Sequence, residues 1–435
     1  MGERTFRGHW WLPGKPADAA PGQLVVDDAG RCALELIGSL DLGSAAALEH
    51  PDDPKARAIE QERVQVIHGL VRDQPVTLLN CFPTAMDGFS HRDRSRLDIT
   101  VQDALIGAHV EHDEPAFRSA IVEIENLTGW LGIEDQVQRN GDADCEAASV
   151  GRIEDLTAEF DGWTITARRT PQPFRSDVLH ARVSVSSFVA AYVVVHAPEP
   201  RPARDYHRVI LEFMDLLTLA AGRPCGQISL TLIHRDNQVM ADRDGSAVEY
   251  ETRVESFGGR IHTAEPDRKA PHDWEFRFRC ADLPFADLVP AWIRLRRRTA
   301  DASNVFFGLQ YARPTYTEAR LLLIAIVAEA LSAGMAGTHP LKDKVSYRTR
   351  LRQLAGIPDE VAVERIVPDV EAWAQDLHRA RNTLAHTGND DAERDLFELE
   401  WVTSSLLSLV FMAETGLPRD VQRRAASTVL KLPWS

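Results

Sequence analysis

Four hundred and thirty-five residues, 44 % hydrophobic and 26 % charged, describe a globular chain of two or three domains and exclude collagen, low-complexity scaffolds and wholesale disorder. A formal net charge of −16 and a pI near 5.4 leave no global positive field to draw the chain onto DNA or anionic lipid, so any nucleic-acid contact must be a local site. Cys32, Cys81, Cys145, Cys225 and Cys280 lie far apart with no C-x-x-C pair, which suits a reducing compartment rather than a disulfide framework or a thiolate metal site.

The N-terminus lacks the apolar run of a signal peptide, and Phe6 stands where a myristoylation motif needs Ser or Thr. The most apolar stretch, residues 321–336, is shorter than a bilayer span and carries Glu329. A cytoplasmic protein with no membrane partner is expected.

The first 200 residues read as strands. Residues 24–26 and 33–37 flank the turn Asp27-Asp28-Ala29-Gly30, and 64–68 with 76–79 form a second pair. Further β-rich runs cover 121–124, 163–166 and 190–196, without alternating helices, which argues against a Rossmann sheet. A Pro- and Arg-rich break follows at 198–204. Val209, Ile210, Phe213, Leu216, Leu217 and Ala220 then recur at helical spacing over 204–221, stopped by Gly222-Arg223-Pro224. Strands return at 228–233 and 248–254, followed by a connecting helix over 287–298.

From about Thr315 helices take over. Residues 318–333 are apolar nearly all round, as in a helix buried inside a bundle. Helices over 341–354, two stretches within 359–386 divided at Pro368, a long one over 392–415 and a short one towards Leu430 complete the bundle. The expected fold class is α+β: a β-rich region over 1–300, with a break near 198–204 that could divide it in two, then an all-α bundle over 301–435. Residues 301–435 hold 15 basic and 18 acidic side chains, net −3, which leaves −13 of the total −16 in the β-rich part. An RNA-facing site therefore fits the bundle better.

No phosphate loop, G-x-S-x-G elbow or H-E-x-x-H motif is present. His109-Val110-Glu111-His112-Asp113-Glu114 offers adjacent donors, but it reads as a solvated loop without a second ligand cluster, and no metal or other cofactor is expected. Arg294, Arg296, Arg297 and Arg298 could lead RNA towards a site or form a solvated charged face. Trp10 and Trp11 read as core rather than as a recognition surface.

The most specific segment is Arg379-Ala380-Arg381-Asn382-Thr383-Leu384-Ala385-His386. Arg381 and His386 have R-x4-H spacing, but Arg4/His9, Arg63/His68 and Arg175/His180 share it, so spacing alone is weak. Only Arg381 is followed by Asn, and only this pair lies in the bundle. Asn382 and His386, four apart, share one helix face, with Arg381 roughly 100° round from Asn382. From the residues alone, the better account pairs Arg381 with a bundle carboxylate and lets His386 cap a helix end before Gly388-Asn389.

This segment resembles the HEPN superfamily, whose ribonucleases use R-x4-6-H with a polar residue, often Asn, after the arginine; the resemblance covers about 315–430. The opening Phe6-Arg7-Gly8-His9-Trp10-Trp11-Leu12-Pro13, followed by Pro21-Gly22-Gln23-Leu24 and Leu34-Glu35-Leu36-Ile37-Gly38, is similar to the start of the ApeA N-terminal domain. In that family the domain precedes a C-terminal HEPN domain in bacterial anti-phage defence proteins. Residues 40–300 match only as a β-rich region of suitable length.

The resemblance shifts the balance towards catalysis. It implies an endoribonuclease of abortive infection with a composite site between two copies, in a homodimer or higher even oligomer. His386 would be general acid or base, Arg381 would hold the scissile phosphate, and Asn382 would orient the phosphate or the imidazole. Glu329 would orient Arg381 or satisfy a structural ion pair. Attack by the RNA's own 2′-OH needs no metal and leaves a 2′,3′-cyclic phosphate. The implied partners are RNA, with tRNA a natural substrate for the class, and a phage-derived trigger at the N-terminal region. The alternative is a non-catalytic HEPN module that binds nucleotide or RNA while the β-rich region recruits a partner.

Overall fold

The computed structural model describes residues 3–38, 40, 64–87, 96–132, 137–140, 147–150, 154–171, 175–179, 182–186, 189–241, 247–258, 264–265, 268–312, 314, 316–337, 345–387 and 396–428. Six strands come first: β1 (Arg4–Trp11), β2 (Ala20–Val26), β3 (Cys32–Ile37), β4 (Val64–Val71), β5 (Gln74–Asp87) and β6 (Arg96–Ile106). They run antiparallel in the order β6-β3-β2-β1-β4-β5, and β5 pairs back onto β6, so the ladder closes into a barrel. Alternate side chains fill it: Leu24 and Val26, Leu34 and Leu36, Leu97, Ile99 and Val101, with Trp10 wholly buried.

Local chemistry sets the turns. Asp27 Oδ1 accepts from the backbone N–H groups of Ala29 and Arg31 at 2.9 and 2.8 Å, and Gly30 takes φ +76°, so the expected β2–β3 hairpin forms. Arg72 and Asp73 turn β4 into β5 with φ of +48° and +65°, the left-handed pair that tight hairpins need. Gly8 faces Gly22 across β1–β2, and a Cβ there would collide with the Leu70 carbonyl oxygen.

A second set of strands follows: β7 (Phe117–Ile124), β8 (Leu156–Phe160), β9 (Trp163–Pro171), β10 (Val189–Arg201), β11 (Gln227–His234) and β12 (Arg253–Gly258). Their order is β8-β9-β10-β7-β11-β12, and β12 joins β6. Along one edge, β6 pairs with β3 over Arg96–Val101 and then with β12 over 103–106. The expected strand over 248–254 is in fact two: a short ribbon strand, Ala247–Tyr250, and β12.

The helices are α1 (Leu127–Trp130), α2 (Ala203–Ala221), α3 (Phe285–Arg298), α4 (Ala300–Tyr311), α5 (Thr317–Met335), α6 (Tyr347–Ala355), α7 (Glu360–Ile366), α8 (Val370–Thr387), α9 (Leu396–Glu414) and α10 (Arg419–Thr428). The fold is thus α+β. Gly222, at φ +66°, ends α2, while Ser346 and Asp359 cap α6 and α7 by accepting from Thr349 N and Ala362 N. The expected starts at 341 and 392 lie outside the described residues. α4 was not expected, because burial from several sides leaves it little amphipathic contrast.

Packing does not follow the change from strands to helices. One core runs from Val122 and Val193 of the second sheet, through Phe213 of α2 and Trp292 of α3, to Phe411 of α9 and Ala425 of α10. At its centre Trp292 meets Phe307 and Phe411 at 5.6 and 6.1 Å, and its Nε1 donates to the Glu212 carbonyl at 2.7 Å. The barrel core is separate.

Candidate functional site

α8 carries the R-x4-H segment. Trp373, Ala374, Leu377, Ala380 and Leu384 form its buried stripe, with Trp373 Nε1 donating to Thr403 Oγ1 of α9 at 3.0 Å. Arg381, next to Ala380, therefore borders the core, whereas Asn382 and His386 are exposed. Arg381 Nη2 donates to Glu329 Oε2 of α5 at 2.7 Å, both side chains being about three-quarters buried. Its guanidinium also lies 4.6 Å from the ring centroid of Tyr347, on α6. Three helices thus fix one cation (α5, α6 and α8).

Tyr347 is itself anchored, its hydroxyl donating to the Ala325 carbonyl of α5 at 3.0 Å. Burial pushes that hydroxyl well above its ordinary pKa, Arg381 opposing and Glu329 adding to the effect. The ring presents its face to the Arg381 guanidinium. Asn382 does not reach towards His386 here. Its side-chain nitrogen lies 3.2 Å from His378 Nε2, one turn earlier, and the His378 ring sits 6.0 Å from that of Tyr347. The structure therefore brings Arg381, Glu329, Asn382 and His386 to one end of α8, with two further groups, Tyr347 and His378. His378 could have been found from its four-residue spacing to Asn382 and His386; nothing local pairs Tyr347 with Arg381.

The other candidates are placed differently. Arg294, Arg296, Arg297 and Arg298 do not form one open basic face. Arg296 is buried, with Nε donating to Asp215 Oδ2 at 2.8 Å and Nη2 to Asn304 Oδ1 at 2.7 Å. Arg297 holds Glu212 and Asp161, and Arg298 holds Glu414 at 2.7 Å. An α-helix turns these four side chains through most of its circumference, and Arg294 alone of them is exposed without a described carboxylate partner.

In the 109–114 segment, His109 Nε2 bonds the Gly69 carbonyl at 2.8 Å and its ring stacks on His68 at 4.6 Å. Asp113 pairs with Arg204 and Glu114 with Arg235. Among the described residues no three His, Cys, Asp or Glu side chains converge as a metal site. Of the other R-x4-H pairs, Arg4 is bound to Glu255 at 2.9 Å in a barrel strand, and Arg63 and His180 lie outside the described residues.

A closed β-barrel continued by a second sheet leads into a helical bundle that presents Arg-Asn and His towards the end of one helix. Two family models match the chain: ApeA N-terminal domain 1 over residues 5–292 and Apea-like HEPN over residues 322–421. The chain belongs to the ApeA family and is a defence-associated HEPN protein. HEPN domains are generally ribonucleases. No curated protein and no solved structure matches the chain.

Proposed function

We propose that the protein is an endoribonuclease of abortive infection, acting in the cytoplasm through a composite site made by two copies of the bundle. The observation that carries this reading is the contrast along α8: Arg381 is held by Glu329 and Tyr347, while His386 stands exposed. A fixed cation beside an open imidazole is the pairing that phosphoryl transfer needs, one group for charge and one for protons.

Each copy supplies one exposed imidazole, whereas cleavage needs a proton removed and a proton given. Two-fold pairing provides both. The 2′-oxygen attacks phosphorus as its proton passes to one His386. The P–O5′ bond breaks as the partner's His386, protonated, gives its proton to the leaving oxygen. The products are a 2′,3′-cyclic phosphate and a 5′-hydroxyl, and no metal enters the sequence. Arg381 binds the phosphate oxygens where charge builds up, and Asn382 orients them. The β-rich region receives the phage-derived trigger.

The test compares wild type with His386→Ala on RNA, tRNA first, in EDTA, with the product ends identified. Cleavage by wild type alone, giving cyclic phosphate ends, is expected. A strict divalent-metal requirement or 3′-hydroxyl ends would contradict the mechanism. RNA binding without cleavage would favour the non-catalytic module. Because each site needs both His386 side chains, mixing wild type with excess His386→Ala should lower activity below that of the wild type present if sites are shared between copies, and undiminished activity would argue against sharing.

A further inference from the structure

We infer that His378 is a positioning residue for Asn382. Its kinetic consequence rests on the ribonuclease reading; its geometry does not. His378, Asn382 and His386 recur every four residues and line one face of α8. The three are not equivalent. His378 is half-buried, with its ring 6.0 Å from the Tyr347 ring, and its Nε2 lies 3.2 Å from the Asn382 amide nitrogen. The Tyr347 hydroxyl is tied to the Ala325 carbonyl at 3.0 Å. A continuous set of contacts therefore runs from the backbone of α5, through a phenol and an imidazole, to an exposed carboxamide. The same phenol carries the Arg381 guanidinium at 4.6 Å. Tyr347 thus sets both residues of the Arg381-Asn382 pair, one directly and one through His378.

An exposed carboxamide on a helix otherwise changes rotamer freely and bonds water. A group that must meet a phosphate gains from being held, because a misplacement of about 1 Å can cost on the order of 100-fold in rate. His378 is poorly placed to share one phosphate with His386 of its own chain. Eight residues of α-helix set their Cα atoms about 12 Å apart, and both side chains lean the same way along the axis. Its effect must pass through Asn382.

Steady-state cleavage by the full chain tests this, with circular dichroism confirming the fold of each variant. His378→Ala is expected to lower kcat about 10-fold with KM within about twofold. His378→Gln, which keeps a hydrogen-bonding amide one turn before Asn382, should stay within about threefold of wild type. With Asn382→Ala already present, His378→Ala should cost nothing more. Equal loss in the Gln and Ala variants, a change in KM alone, or losses that multiply in the double variant would each overturn the assignment. An inactive wild type would remove the ribonuclease reading instead. The pairing is then read by NMR: Asn382→Ala must shift the His378 ring nitrogen resonances, and unchanged resonances overturn it.

Discussion

The barrel and the bundle are built on different principles of closure. The barrel closes on itself through β5–β6 and keeps a private core around Trp10, Leu24, Leu34 and Ile99. The bundle does not close alone. Its Phe411 packs on Phe306 and on Trp292, the latter from a helix that also lies against the second sheet, so sheet and bundle share one interior. Secondary structure changes from strands to helices between Gly258 and Phe285, but the packing draws its own line at β6. The candidate site lies in the outer wall of that shared interior, beside the buried Ala380 and Leu384.

The sharpest separation of the two regions is functional. His386→Ala and Arg381→Ala should each reduce RNA cleavage by about 10²–10⁴-fold and abolish defence, the exposed His386→Ala with an unfolding midpoint close to wild type and Arg381→Ala with a lowered one, because Glu329 loses its partner. Wild-type-like protection from phage in either variant, at equal protein level, would break the assignment. Next in size is core truncation. Trp292→Ala should cost about 3–5 kcal/mol and loosen sheet and bundle together, whereas Trp10→Ala should cost about as much in the barrel alone. Urea titrations followed by separate probes in barrel and bundle should show two steps for Trp10→Ala; one common step would erase the distinction.

A smaller effect comes from pH. Burial pushes Asp215 up to about 6, with Arg296 and Tyr311 opposing the shift. A carboxyl whose pKa is higher folded than unfolded takes up a proton on folding, so its contribution to stability falls as pH rises from about 4 to about 6. Asp215→Asn should lack that decline, read as the difference between the two midpoint-versus-pH curves; parallel curves would sink the idea. The smallest expected effect is at the surface. Arg424 Nη2 meets Asp282 at 2.7 Å and ties α10 to the segment before α3, but half of the Arg424 side chain is exposed. Arg424→Ala should cost under about 1 kcal/mol, less at high salt. A loss above about 2 kcal/mol would make this pair a principal tie between the regions.

Much of this was legible in the residues, for reasons that also explain the gaps. The β2–β3 hairpin was readable because Asp27 and Gly30 build the turn locally, and α2 because its apolar spacing ends at Gly222. β6 was not read although Leu97, Ile99 and Val101 alternate with polar residues, since Asp103 breaks the alternation and its partners are distant in sequence. The β4–β5 turn hid behind Arg72 and Asp73, which take left-handed conformations without the usual glycine. In the site, Asn after Arg381 and a carboxylate on an apolar helix marked Arg381 and Glu329. Tyr347 stayed invisible because only tertiary packing brings α6 under α8.

Strand β6 has a consequence for ancestry. Over its last residues Ala104 and Ile106 face the barrel interior while Leu105 faces the shared one. Among the described residues the ladder between the two halves is the four pairs from Glu255↔Ile106 to Gly258↔Asp103. A lineage that replaced everything before β7 would leave the shared interior almost intact, with β12 exposed as an edge strand that any incoming strand of suitable register could cover. The first six strands of such a chain are thus tied to the rest by a short ladder, while the second sheet and the bundle are held together by a common core.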